Sequence, residues 1–400
     1  MVENLINLDN QFPELPKQVK FCKRCVVSNQ KPRLRFDENG VCAACEWARI
    51  KDNDIDWSKR QIELESLCEQ HRSKDGGYDV IVPGSGGKDS AFVAGFLKNV
   101  MGMNPLCITW APFDYTSIGW KNLNSFVGAG YDNILAMPKG NLHRKLCRVS
   151  FELVGDPFLP FIFGQKAYAY HLAKLHDIRL IFYGENGEVE YGGSEKYRYL
   201  PNEQPSEWKE QYFKGAEVDR IFNAGVSAGV IAENEFSEND LWWYKAPDPE
   251  KIEKLGLEMH WMSYYRKWVP QENYYYAALK NNFTPNLEGR SESTYTRMSS
   301  LDDKVDGFHY YLSFIKFGIG RATRDAMTDI YRGHISRAEG VELVKKYDAD
   351  FPIMFYENFK KYTGINDKKF TEVIDKYRQL SNVWDKSSGE WKLRYTVFDN

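Results

Sequence analysis

The 400-residue chain has no apolar run near the roughly 18 residues that a bilayer-spanning helix needs. Its first stretch, Met1 to Asn10, is mixed and polar, which argues against a signal peptide. A cytoplasmic protein without membrane attachment is expected. Charge of one sign is lacking too: 53 basic residues stand against 56 acidic ones, net -3. That excludes a protein whose main task is coating nucleic acid, so no nucleic-acid partner is expected. Internal repeats and low-complexity tracts are absent. With 42% hydrophobic and 27% charged residues, the chain is not a disordered one. Cysteine is scarce. The seven present read as metal ligands or core residues, not disulfides, in a cytosolic chain.

Aromatic residues are abundant, at 15%, which suggests stacking surfaces or wide buried interfaces. They mark out the chain's organisation. Residues 1–50 hold a leading segment and a short cysteine-rich stretch; 51–77 read as a connecting helix. From Tyr78 the rhythm is strand, loop, helix. Strands are expected over Tyr78–Val82, Asn104–Trp110, Tyr131–Ala136 and Ile178–Tyr183, with helices at Ser90–Val100 and Ser117–Ala129. This alternation predicts an α/β core over 78–189, a doubly wound parallel sheet with its ligand at the carboxyl ends of the strands. Residues 190–285 break the rhythm. Trp242, Trp243, Trp261, Trp268 and Tyr274 to Tyr276 crowd there, and the segment reads as an aromatic-rich helical insertion or second lobe. Residues 286–400 return to helical patterning and are expected to complete the active site.

Two motifs carry chemistry. The first is Cys22-Lys-Arg-Cys25, sixteen residues, then Cys42-Ala-Ala-Cys45. Each CxxC turn points two sulfurs at one ion, and two turns complete a tetrahedron, so these four are expected to bind zinc. The segment between them is too short for a core of its own, and the metal would hold it together. A redox pair or an iron–sulfur site is the alternative. Between Lys17 and Arg35 stand seven basic residues and no acidic one. They could meet phosphate or RNA, or form a solvated face. Cys68, Cys107 and Cys147 are isolated, without the glycine-flanked elbow that exposes a catalytic thiol.

The second motif, Pro83-Gly84-Ser85-Gly86-Gly87-Lys88-Asp89-Ser90, joins the first strand to a helix. Its glycines let successive N–H groups face an anion, and the helix N-terminus adds partial positive charge. Ser85 and Ser90 can donate hydroxyl hydrogen bonds, and Lys88 adds a full charge. This is not a Walker A loop, because Val82 stands where that motif has its first glycine and Asp89 where it has Ser or Thr.

Ser85-Gly86-Gly87-Lys88-Asp89-Ser90 resembles the SGG-x-DS loop of the PP-loop ATP pyrophosphatases. The resemblance implies that residues 84–90 hold the pyrophosphate of ATP and that Asp89 helps hold magnesium. Gly184-Glu185-Asn186-Gly187 resembles that superfamily's second nucleotide-side motif, which makes Gly184 and Asn186 candidate ATP contacts. By position at the end of the second strand, Trp110 is a candidate adenine contact.

The four-cysteine segment, the aromatic lobe, the run Lys316 to Arg324 (KFGIGRATR) and the run His334 to Asp348 together point further. From Cys22 to about Asp348 the chain resembles the N-acetyl sugar amidotransferases of bacterial surface-polysaccharide (lipopolysaccharide O-antigen) and nonulosonic acid pathways. That resemblance implies an enzyme, of ligase or amidotransferase type, that turns an acetamido group of a nucleotide-linked sugar into an acetamidino group. Adenylation of the amide oxygen would release pyrophosphate, and ammonia would then displace AMP. ATP, Mg2+ and Zn2+ are the implied cofactors. Lys88, Asp89, Lys316 and Arg321 are the candidate catalytic residues; Lys316, Arg321 and Arg324, after a glycine-rich bend, are candidate contacts to the ATP phosphates or to the diphosphate of the nucleotide-sugar, with a basic helix start on the surface as the alternative. Ammonia is expected from a separate glutaminase–cyclase pair, since Met1 is followed by Val2 and no N-terminal cysteine nucleophile exists. A tRNA thiolation enzyme, which also joins a zinc segment to a PP-loop, is the rival reading.

Overall fold

The computed structural model describes residues 7–203 and 205–399. Met1 and Val2 lie outside the described residues. Five strands form one sheet: β1 (Val80–Pro83), β2 (Pro105–Trp110), β3 (Asn133–Ala136), β4 (Leu180–Tyr183) and β5 (Glu258–Trp261). Their order is β3-β2-β1-β4-β5, and every pairing is parallel. The α/β expectation is met, and the first four strands fall within two residues of where the sequence put them.

Parallel sheets must be covered on both faces, because side chains alternate across the pleat. In β1, Ile81 faces a core shared with the helices Gly140–Val154 and Leu159–Leu175. Val80 and Val82 face the opposite core, filled by Ala91, Val93, Phe96 and Leu97 of the Lys88–Asn99 helix. The helix Pro270–Asn281 packs outside that one. A third cluster joins the cysteine segment to Phe317, Ala326, Met327 and Ile330 near the C-terminal end.

The fifth strand comes from within 190–285. That segment had read as a lobe outside the sheet, yet Glu258–Trp261 pairs with β4 along its full length, Leu180 opposite Glu258 to Tyr183 opposite Trp261. The outer edge of β5 is covered by residues 201–203. Asn202 bridges His260, the Glu203 N–H donates to Met259 O at 3.1 Å, and the Trp261 N–H donates to Pro201 O at 3.0 Å. Among the described residues, no helix is long and apolar enough to cross a membrane.

The strand order fixes where a ligand can sit. From β1 the chain moves one way to β2 and β3, and returns on the other side for β4 and β5. The loops leaving β1 and β4 therefore part in opposite directions and leave a crevice at their carboxyl ends. Those loops carry Gly84–Ser90 and Gly184–Asn186.

Candidate functional site

The cysteine centre is compact. Cys22, Cys25, Cys42 and Cys45 are all buried, and their sulfurs lie within 4.8 Å of one another. Cys25 and Cys42 sulfurs are 3.7 Å apart. Zn–S bonds of about 2.3 Å in a tetrahedron place sulfurs ~3.8 Å apart, so the set fits zinc. The N–H groups of Arg24, Cys25 and Cys42 donate to Cys22 Sγ at 3.4, 3.4 and 3.3 Å. Four buried cysteine ligands around one ion would leave no open position for a substrate, as in a structural zinc site. Arg337 Nε ties it to the C-terminal helices through Cys25 O at 3.2 Å.

The glycine loop is shaped by its neighbours. Gly86 has φ +81°, and a Cβ there would lie 2.7 Å from Asn122 O. At Gly84 a Cβ would meet that of Ser90 at 2.1 Å. Thr109 Oγ1 donates to Gly84 O at 2.7 Å, and the Gly84 N–H donates to Ile108 O at 2.9 Å, which fix the start of the loop to β2. The helix that follows begins at Lys88, with Gly87 as N-cap and no side-chain cap. Its first-turn N–H groups are thus left for a ligand.

Two cavities open on this loop. One, of about 160 Å³, is lined by Gly84, Ser85, Trp110, Phe161, Tyr168 and Asp302. The other, of about 280 Å³, is lined by Lys88, Asp89, Glu185, Tyr191, Arg321 and Arg324, among others. Trp110 lines the first cavity and Arg321 the second, and both cavities open on the loop. Trp110 is largely buried, set edge-on to Tyr244 at 5.5 Å, so it offers the cavity only part of its ring.

Lys88 Nζ contacts Asp89 Oδ2 at 2.5 Å, and Asn273 Nδ2 donates to Asp89 Oδ1 at 2.9 Å. Burial and the Asp89 charge push the Glu185 carboxyl up to about 7, with Lys88 opposing. Tyr191 OH donates to Glu185 Oε1 at 3.1 Å. Two carboxylates sharing a cavity beside a glycine-rich loop suit a divalent cation, whose charge would relieve their repulsion. Asp89 and Glu185 are the residues that would hold magnesium. Asp302 lines the first cavity together with Ser85, and burial pushes its carboxyl up. Arg321 Nε donates to Asp325 Oδ1 at 3.1 Å, and its Nη1 donates to Tyr310 OH.

Three expected site residues stand elsewhere. Lys316 is fully buried; its ammonium pairs with Asp9 Oδ2 at 2.5 Å and donates to Val154 O at 3.2 Å. Burial pulls it down to about 8. It does not line either loop cavity. Asn186 is buried, and its Oδ1 accepts the Glu188 N–H at 3.1 Å as an N-cap. Gly184 packs behind Asp89, where a Cβ would meet Trp268 at 2.8 Å. The residue of that motif facing the cavity is Glu185. Glu185 could have been found, as the one acid in Gly184–Gly187. Asn273, Asp302 and Tyr191 carry no local signal. The glycine bend before Arg321 is closed by Asp348, whose carboxylate accepts the N–H groups of Gly320 and Thr323 at 2.9 and 2.7 Å. This explains why the runs 316–324 and 334–348 belong together.

These observations define an α/β protein with a glycine-rich loop at the switch point of a parallel sheet and a four-cysteine cluster that could hold a metal ion. A family model described as LPS biosynthesis protein WbpG-like, C-terminal domain, matches residues 292–397. The match supports a polysaccharide-biosynthesis family and fits an enzyme in sugar biosynthesis. No curated protein matches the chain. The matched stretch contains Asp302, which lines the first cavity with the loop, and Tyr310, Arg321, Arg324 and Asp325, which line the second.

Proposed function

We propose that the chain is an ATP-dependent amidotransferase of the PP-loop pyrophosphatase type. It converts the acetamido group of a nucleotide-linked sugar into an acetamidino group. The supporting observation is the Ser85–Ser90 cradle with Asp89 and Glu185 at its mouth, facing Arg321 from the stretch that matches a lipopolysaccharide-biosynthesis domain.

An amide oxygen is a poor leaving group. Its attack on the α-phosphorus of ATP forms a P–O bond as the bond to pyrophosphate breaks. Ammonia then adds to the activated carbon, AMP leaves with the former amide oxygen, and loss of a proton gives the amidine. In this reading the loop N–H groups, Lys88 and Arg321 stabilise charge on the departing pyrophosphate. A magnesium ion, when bound by Asp89 and Glu185, would neutralise phosphate charge. No protein nucleophile is required. Cys68, Cys107 and Cys147 are buried, and burial pushes all three thiols up, Cys68 to about 12. They are poor nucleophiles, which disfavours both a built-in glutaminase and thiolation chemistry. In this reading ammonia is supplied by a separate glutaminase partner.

The test incubates UDP- and CMP-linked acetamido sugars with the protein, ATP, magnesium and ammonium at raised pH. AMP and pyrophosphate are expected, with a sugar mass change equal to oxygen exchanged for NH. ADP as the main product, or efficient use of glutamine by the chain alone, would overturn the reading.

A further inference from the structure

A third cavity, of about 270 Å³, lies behind the Lys88–Asp89 cavity and shares Tyr191 and Arg324 with it. Its walls come from four distant parts of the chain. Lys31 and Arg33 belong to the cysteine segment, Asp156 follows the Gly140–Val154 helix, Lys214 comes from the aromatic stretch, and His309, Lys316 and Arg324 come from the C-terminal part.

The basic groups fall into two sets. Arg33 is neutralised by a two-pronged pair with Glu188, at 2.7 and 2.8 Å. Lys214 and His309 both meet Asp156, and Lys316 is taken by Asp9. Lys31 and Arg324 have no such carboxylate partner among the described residues. Arg324 donates from Nη2 to Ser313 Oγ at 3.0 Å, while its Nε is buried with no partner. Burial pulls Lys31 down to about 8; Glu188 opposes this, and the nearby charges of Arg324 and Arg33 add to it. Two cations directed into one cavity repel each other, at a cost that falls when an anion sits between them.

The geometry points to this cavity as the seat of the phosphate-bearing end of the acceptor, a nucleoside mono- or diphosphate held by Lys31 and Arg324. The inference rests on the amidotransferase reading. The phosphate loop belongs to ATP and lies on the far side of the Tyr191–Arg324 wall. An acceptor lying across that wall would carry its acetamido group to Lys88 and Asp89 while its phosphate stays in the basin. The zinc segment then has a use beyond its own fold: it delivers Lys31 to the acceptor.

The test is calorimetric titration of the intact, zinc-loaded protein with UDP and with CMP, under a saturating non-hydrolysable ATP analogue that fills the loop. Saturable binding of at least one nucleotide is expected. Lys31→Ala and Arg324→Ala should each weaken it by about tenfold, the scale for losing one hydrogen bond to a charged group. Lys31→Arg should recover most of the affinity, with zinc content and melting temperature unchanged in all three. Equal affinity in wild type and both alanine variants, competition by the ATP analogue, or no nucleotide binding at all would overturn the proposal. AMP formation is measured separately. Turnover that survives while nucleotide binding ignores Lys31 would refute the basin and leave the reaction standing.

Discussion

The cysteine knuckles and the glycine loop are both short motifs, and they keep their shapes in opposite ways. The knuckles have little core of their own. Four sulfurs converge on one point, and their ordered state leans on Phe317, Met327 and Ile330 from the other end of the chain. The loop needs no internal bond of that kind. It hangs from β1 and β2, whose residues are nearly all buried, and its turn at Gly86 has a positive φ and no room for a side chain against Asn122. Damage to the first should spread through structure, whereas damage to the second should stay in chemistry.

The sharpest test of that contrast is Asp89→Ala. Its carboxylate is partly exposed and anchors no core, so the melting temperature should hold within a degree or two. AMP release should fall by about a thousandfold, the scale for losing a charge-stabilising group. Comparable unfolding and inactivation would erase the distinction. Cys22→Ser is the counterpart: zinc should be lost by elemental analysis, with a lowered melting temperature and poorer solubility before any selective loss of turnover. Iron in the purified protein, or a metal-free chain of full stability, would contradict it.

Gly86→Ala should blur the two categories. Both the positive φ and the clash with Asn122 oppose it, so about 1–3 kcal/mol of stability should go, along with turnover. Denaturant titration reads the first and AMP release the second. A smaller effect concerns pH. Glu185 has its folded-state value raised to about 7 from 4.5. The folded protein therefore holds a proton that the unfolded chain has released, and stability should fall as pH rises from about 4.5 to 7. Glu185→Gln should flatten that slope in thermal melts without magnesium or ATP; an unchanged slope would place the titration elsewhere.

The same contrast explains what could be read from the sequence. The spacing of the cysteines and the run Gly84–Ser90 are local, and each states its geometry within a few residues. The strands β1 to β4 were also legible, from their apolar runs. β5 was not, because Glu258-Met-His-Trp261 is a short strand hidden among aromatics, and only its pairing with β4 makes it one. Lys316 shows the other limit. A lysine beside a glycine bend looks like a phosphate ligand, but the nearby sequence holds no hint that Asp9, some three hundred residues away, has claimed it. Glu185 was in view within a known motif. That it shares a cavity with Arg321 depends on how the C-terminal helices fold back over the sheet.

The strip of chain at 201–203 lying along β5 has a consequence for assembly. A parallel sheet with a bare rim can recruit a strand from another molecule, and that is a common route to aggregation. Here the Asn202–His260 bridge and its flanking hydrogen bonds occupy that rim from within the same chain. Recruitment of a further strand is thus blocked on the β5 side, so copies or partners that bind there must do so through side chains rather than by extending the sheet.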